Sequence, residues 1–407
     1  MTKLTTMMQA MQLKSKCLVL FFSLLLPTAA LANLPPLPPP TLIIPAAPTI
    51  GAKSYLLIDY LSDAVLASQN VDIPLEPASL TKMMTVYVVD HALHEGKIKL
   101  TDQVRISTKA WKAQGSRMFL QVDTDVSVQD LLQGVVIQSG NDASIALAEQ
   151  IAGSESAFAE IMNYYAKQLG MTNTHFVNVT GLPDPNHVTT ARDMAILAKA
   201  LIRDFPETYK MYSQKEFMYQ NIKQTNRNRL LWRNDMVDGI KTGHTDNAGY
   251  CLVASGQKKD GMRLIAVIMG SKTDASRIDD TNALLTYGFR FFETRKLYSA
   301  GSALKQSRIW MGALKEVALG LKDDFYVTVG QGQYDKLKAT VTVDNIIKAP
   351  VAQNASLGTL QVHLNDKVIA ERPVVAITAV PEAGFLSRLF DRLMLAIQLL
   401  WEKIISK

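Results

Sequence analysis

Ser79 and Lys82 stand three residues apart in Ser79-Leu80-Thr81-Lys82. A serine hydroxyl is a poor nucleophile until a base takes its proton, and residues three apart at the start of a helix share a face. Lys82 is therefore placed to reach the Ser79 oxygen, provided that it is neutral. Burial and a second nearby ammonium both depress a lysine pKa, and Lys241 is the candidate for that second cation. Two more short motifs follow in order, Ser139-Gly140-Asn141 and Lys241-Thr242-Gly243. Ser139 is suited to relay a proton to a departing amine, and Asn141 to hold a substrate backbone or Lys82. The third motif fits the edge of a strand: Gly243 lets a peptide lie close to the backbone, and Thr242 offers a hydroxyl to a carboxylate. Backbone N–H groups of Ser79 and His244 are the candidate oxyanion hole. The implied chemistry is acyl transfer through a serine. A lysine base predicts activity that rises with pH into the alkaline range, because burial only partly lowers a pKa of about 10.4.

Taken singly, Ser79 reads as a helix cap, Ser139 and Asn141 as a turn, Lys241 as a surface lysine, and the His244 side chain as one that shapes the strand edge. The weight lies in having all three motifs, in order and well separated. Helical patterning from Ser79 through Lys82, Met83, Val86 and Tyr87 must carry the first. A helical stretch from Val128 to Gln138 delivers the second, and another runs from Asp142 to Ile151, with a further one from Thr190 to Ile202. After the third come strands at Gly249 to Ser255 and Met262 to Met269, then a helix from Ser276 to about Thr294. Ser54 to Ala67 reads as a hairpin about a Ser62-Asp63 turn. Strands first and last with helices between imply an α/β (α+β) domain with one sheet assembled from both ends of the segment.

The 407-residue chain exceeds one such domain. Lys3, Lys14 and Lys16, an apolar run from Cys17 to Leu26, Pro27 and Ala30-Leu31-Ala32 describe a cleaved secretory signal; that run is too short for a bilayer span of about 20 residues. Cleavage removes Cys17 and leaves Cys251, in an apolar strand-like stretch, as a core residue outside any intramolecular disulfide. The formal charge of +6 falls to about +3 with the signal lysines, and no basic stripe with interleaved aromatics marks a nucleic-acid partner. Asn33 to Pro48 is a proline-rich tether. From Trp310 to Val380 short strand-like runs alternate with turn signals such as Asn365-Asp366, the pattern of a small all-β domain. The chain thus divides into a signal peptide (1–32), a tether (33–50), a catalytic domain (51–297), an all-β stalk (298–382) and a terminal helix (383–407).

In that last segment Phe385, Leu386, Leu389, Phe390, Leu393, Met394, Ile397, Leu400, Trp401, Ile404 and Ile405 recur at helical spacing, with Arg388, Asp391, Arg392, Gln398 and Glu402 opposite. So charged a helix lies in a membrane interface rather than crossing it. With the export signal, this places the protein peripherally on the outer, periplasmic face of the cytoplasmic (inner) membrane.

Over essentially the whole mature chain the sequence resembles the low-molecular-weight penicillin-binding proteins of the D-alanyl-D-alanine carboxypeptidase family, the group of penicillin-binding proteins 5 and 6. Pro77-Ala78-Ser79-Leu80-Thr81-Lys82 is similar to that family's nucleophile segment, Gln138-Ser139-Gly140-Asn141-Asp142-Ala143 to its second motif, and Val237-Asp238-Gly239-Ile240-Lys241-Thr242-Gly243-His244-Thr245 to its third. Asn226-Arg227-Asn228 and Gly288-Phe289-Arg290-Phe291-Phe292 resemble further family segments. The resemblance implies the penicillin-binding-protein/serine β-lactamase transpeptidase fold and a peptidoglycan stem pentapeptide as substrate. Ser79 would attack the penultimate D-alanine carbonyl, the terminal D-alanine would leave, and water would free the enzyme. β-Lactams become covalent inhibitors, and no metal or organic cofactor is implied. Arg277 matches an arginine that binds the terminal carboxylate, with Arg227 in support. The loop from Phe176 to Thr190 resembles one beside the active site, but Asp184-Pro185-Asn186-His187 departs from the usual wording there.

Rivals are a DD-endopeptidase or weak β-lactamase activity of the same site, a zinc carboxypeptidase, and a non-catalytic peptidoglycan-binding protein. A class A β-lactamase needs a nearby glutamate to activate water, and the loop from Phe176 to Thr190 has none. His91, His94, His175, His187, His244 and His363 form no zinc-binding motif. Intact Ser79, Lys82 and Lys241 argue against loss of catalysis.

Overall fold

The computed structural model describes residues 44–405; the expected signal peptide and the first part of the expected tether lie outside the described residues. One antiparallel sheet is built from both ends of the catalytic region. Its strands lie in the order Val65–Gln69, Ser54–Asp59, Arg263–Ser271, Gly249–Gln257 and Val237–Thr245. Successive side chains on a strand face opposite sides, and both sides are buried here. Leu56, Ile58, Val253, Ile265 and Val267 pack into a helical lobe, whereas Leu57, Leu252, Leu264, Ala266 and Ile268 pack with Ile278, Leu284 and Leu285 of the helix Asp274–Phe291. The last strand, Val237–Thr245, is an edge of the sheet and carries the third motif.

The helical lobe supplies the first two motifs. Helix Lys82–His94 is buried at every position from Lys82 to Asp90, as expected of a helix surrounded by others. It is entered through a 3₁₀ turn, Ala78–Thr81, that holds Ser79. The stretch expected to be one helix to Gln138 is an α-helix only over Val128–Gln133 and a π-helix over Gly134–Gln138. The wider π turn ends at Ser139, which is left-handed at φ 63° and ψ 36°; helix Asn141–Ala152 follows. A left-handed non-glycine residue costs on the order of 1 kcal/mol, and here it separates the π turn from the helix that Gly140 caps.

The helix Asp274–Phe291 stops three residues earlier than the sequence pattern implies, because Phe292–Tyr298 pairs as a strand with Phe325–Gly330. Beyond it, a six-stranded sheet buries Ile309, Val317, Leu319, Leu360, Val362 and Val374. Asp59, at the end of strand Ser54–Asp59, ties strand Phe292–Tyr298 to the turn at Ser62. One of its carboxylate oxygens accepts from Ser62 N and Oγ (2.7 and 2.8 Å), and the other from Thr294 Oγ1 (2.7 Å).

The terminal helix Phe385–Ile405 inverts the usual amphipathic arrangement. Asp391 and Leu395 are its buried side chains, Asp391 accepting from Met311 N at 2.8 Å and pairing with Lys315 at 3.5 Å. Leu386, Phe390, Leu393, Leu400 and Trp401 stand exposed. So large an apolar stripe in water marks an interaction face.

Candidate active site

Lys82 Nζ lies 3.0 Å from Ser79 Oγ and 2.6 Å from the Thr180 carbonyl oxygen. From the sheet side, Lys241 Nζ donates to Ser139 Oγ at 2.9 Å and to the Thr242 carbonyl at 3.0 Å. Each lysine therefore holds one serine, and the two serines come from different loops of the helical lobe. Neither lysine sees water: Lys82 is 0% and Lys241 2% exposed. Burial pulls Lys82 down to about 7, with Asp142 opposing. Burial also carries Lys241 well below its ordinary value, with the Lys82 charge, Arg227 and Arg277 adding to the fall. Burial disfavours two ammonium ions in so dry a site, and the lysine in contact with the Ser79 hydroxyl is Lys82. Two expectations change. Of the two expected causes, burial lowers Lys82 and the Lys241 charge does not contribute, and the fall reaches about 7 instead of stopping in the alkaline range.

Asn141 does not hold Lys82 here. Its Nδ2 donates to the Gln114 carbonyl at 2.5 Å, and its buried Oδ1 has no partner among the described residues. That oxygen remains available to an incoming N–H. The neighbouring Asp142 accepts from Met118 N and Leu120 N at 3.0 and 3.1 Å and so fastens the 115–120 segment beside the second motif. Asn226-Arg227-Asn228 links the other two motifs through its backbone and amides. Arg227 N donates to the Ile137 carbonyl (3.3 Å) just before Ser139, and Asn228 Nδ2 to the Gly239 carbonyl (3.0 Å) just before Lys241.

Gly243 is glycine for a steric reason: a Cβ there would sit 2.9 Å from Pro77 O and 3.1 Å from Ser79 N. Its carbonyl accepts from Arg277 at 2.9 Å. Arg277 also donates to Cys251 O (3.3 Å) and pairs with Asp274. A cleft of about 530 Å³ is lined by Arg227, His244, Tyr250 and Arg277, together with Phe119 and Gln138. The His244 ring lies on Tyr250 with centroids 4.0 Å apart, which fits a shaping role. Cys251 is wholly buried, and its thiol is pushed up to about 11 by burial, as a core residue should be.

Sequence reasoning missed Thr180, whose contribution is a backbone carbonyl and carries no residue signature. It also missed Asp274, although its position one turn before Arg277 on a helix was the available signal.

The D-alanyl-D-alanine carboxypeptidase family model matches residues 42–273, more than half of the chain. The chain belongs to that family. A second family, the penicillin-binding protein 5 C-terminal domain, matches residues 292–382. The carboxypeptidase is 48% identical to D-alanyl-D-alanine carboxypeptidase DacC of Escherichia coli (strain K12), over 86% of this chain and 89% of that protein. Among solved structures it is similar to penicillin-binding protein 5 from Haemophilus influenzae, with 45% identity and a TM-score of 0.81 over 83% of this chain and 100% of that one. It is also similar to penicillin-binding protein D2 from Listeria monocytogenes in its ampicillin-bound form, at 28% identity and a TM-score of 0.55, covering 60% of this chain and 100% of that one. The enzyme is a serine-type D-Ala-D-Ala carboxypeptidase with a mixed α/β transpeptidase domain followed by a β-rich domain and a terminal helix.

Arg277 arrives at the cleft already committed to Gly243, Cys251 and Asp274. Replacing it by alanine therefore costs stability as well as activity. The diagnostic quantity is a ratio. Arg277→Ala is expected to lower kcat/KM on a D-Ala-D-Ala peptide by about tenfold to 150-fold, the worth of a charge-assisted bond. The same change should leave turnover of the peptide carboxamide nearly untouched. Equal losses on acid and amide would deny Arg277 any part in holding the carboxylate.

Proposed function

We propose that Ser79 is the nucleophile and Lys82 its base in removal of the terminal D-alanine from peptidoglycan stem pentapeptides. The observation that carries this is the 3.0 Å contact between a fully buried lysine and the Ser79 hydroxyl, with the Lys241–Ser139 pair set against it. Lys82 takes the Ser79 proton as Oγ attacks the penultimate D-alanine carbonyl. The N–H groups of Ser79 and His244 receive the negative charge that develops on oxygen. Ser139, held by Lys241, relays that proton to the departing amine, and water then cleaves the acyl-enzyme. The substrate lies along the free edge of Val237–Thr245 against Thr242 and Gly243, with Asn141 on its backbone. Arg277, supported by Arg227, meets its terminal carboxylate.

β-Lactams acylate the same serine; the likeness to a relative solved with ampicillin supports this. Penicillin is released slowly, because the 176–190 loop offers no glutamate to activate water. The proposed organisation is a signal (1–32), a tether (33–50), the catalytic domain (51–297), a β stalk (298–382) and a helix (383–407) that lies on the periplasmic face of the inner membrane. Among the described residues, no helix is long and apolar enough to cross a membrane. The exposed apolar stripe of Phe385–Ile405 supports surface binding instead.

The deciding experiment is intact-mass analysis after incubation with penicillin, with peptide mapping of the adduct. One adduct on Ser79, absent from Ser79→Ala, is expected. An adduct on another residue, or undiminished labelling of Ser79→Ala, sinks the mechanism.

A further inference from the structure

The 176–190 loop reaches the nucleophile turn by a second route besides the Thr180 carbonyl. His187, 1% exposed, sits beneath it with its ring edge-on to Phe176. Its Nδ1 accepts from Val177 N at 3.2 Å. A backbone amide only donates, so Nδ1 carries the lone pair and the ring proton is on Nε2. Nε2 is 2.8 Å from Thr81 Oγ1, and the Thr81 hydroxyl donates its own proton to the Ala78 carbonyl at 2.8 Å. The three bonds therefore run in one direction, from Val177 N–H to Ala78 C=O. Burial holds the ring neutral, at about 4.

The carbonyl at the end of this chain is a particular one. Ala78 is left-handed, at φ 47°, although it is not glycine. Such a conformation persists only where the surroundings over-determine it. The tip of the same loop presses on it too: a Cβ on Gly181 would stand 1.8 Å from Ala78 O. In a trans peptide the C=O and the following N–H point in opposite directions. The Ala78 carbonyl shares its peptide plane with Ser79 N–H, the group that faces the bare Cα of Gly243. Whatever holds that oxygen aims that N–H.

We infer that His187, acting through Thr81, is a positioning residue that fixes the Ala78–Ser79 peptide, so that Ser79 N–H is aimed at the oxyanion formed during acylation. This rests on the reading of Ser79 as nucleophile. The side chain 108 positions along the chain from Ser79 thereby links the loop to the donor that stabilises the reaction's charge.

Three variants of the full-length enzyme separate this from a packing role. His187→Asn cannot reach Thr81; His187→Gln restores a donor at about the place of Nε2; Thr81→Val removes the link from the other side. For each, kcat and KM on a D-Ala-D-Ala peptide are measured. The affinity of a peptide boronic acid, whose serine adduct places a charged oxygen in the oxyanion hole, is measured beside them. His187→Asn and Thr81→Val are expected to lose about 10- to 100-fold in kcat, somewhat less than outright removal of an oxyanion donor. Boronate affinity should fall in parallel, and KM should change by less than about threefold. His187→Gln should recover to within about threefold of the parent. The inference is overturned if His187→Asn and Thr81→Val keep their kcat and boronate affinity, or if His187→Gln is damaged as much as His187→Asn. Should one variant fail to fold, the other still gives the parallel loss. Mapping the boronate or penicillin adduct to a residue other than Ser79 would instead remove the reading on which the inference stands.

Discussion

Replacing Lys82 by arginine is expected to slow acylation of Ser79 by about 10³-fold or more and to flatten its dependence on pH. A guanidinium stays charged at every accessible pH, so it can contact the Ser79 oxygen but cannot accept its proton. Loss of a general base costs about 10² to 10⁴, and groups that act as one unit lose more. In the parent enzyme Lys82 sits at about 7 because burial penalises its charged form. With the neutral amine as the proposed active form, the acylation rate should climb about tenfold per pH unit below that value and level off above it. Stopped-flow acylation by a chromogenic β-lactam from pH 5 to pH 9 reads both features. An arginine variant that keeps the parent's rate, or that keeps its rising limb near neutrality, would take the base role away from Lys82.

That limb shows where the sequence stopped being legible. The contact itself could be read from Ser79-Leu80-Thr81-Lys82, because a three-residue step brings both side chains to one face in a 3₁₀ turn as in an α-helix. The depth of burial could not. It comes from helix Lys82–His94 being enclosed on all sides by segments from Val104 to Leu201, and no local pattern records that. The sheet was legible because strands with both faces buried read as short continuous apolar runs, as in Leu264 to Met269. The π turn before Ser139 was not, since its residues Gly134 to Gln138 are as apolar as any helix interior. Contacts made by backbone atoms, such as the Thr180 carbonyl on Lys82, are invisible in sequence for a simple reason: any residue type supplies them. The terminal helix was legible as amphipathic but not in its docking. Asp391, placed on the face opposite the apolar stripe, is the group that fixes the helix to Met311 N.

Removing residues 384–407 is expected to move the enzyme from the membrane fraction to the supernatant while leaving kcat/KM on a small soluble peptide within about twofold. The contacts proposed for catalysis lie between Ser79 and Arg277, and the helix docks on the β-rich domain with Asp391, paired with Lys315, and the buried Leu395. Cutting it frees Met311 N to water, a loss of about 1 kcal/mol, and removes the buried Leu395 side chain, worth roughly 1.5–3 kcal/mol, both in the β-rich domain rather than at the catalytic motifs. The exposed stripe carries the opposite weight. Fully burying a single Leu or Phe side chain contributes roughly 1.5–3 kcal/mol, so partial burial of Leu386, Leu389, Phe390, Leu393, Leu400 and Trp401 in lipid exceeds the docking bond several times over. Charge assists through Arg392 and Lys403 at roughly 1 kcal/mol each near an anionic surface. Arg388 adds less, being paired with Glu382. Binding to anionic vesicles should therefore weaken with salt and persist at high salt. Docking and insertion use different faces of the helix, so Leu393→Glu with Leu400→Glu should release the full-length enzyme as completely as truncation does. If the truncated protein still pellets with membranes, the anchor lies elsewhere in the chain. If it is soluble but inactive on the peptide, the helix is structural and the assignment of its outer face to lipid fails.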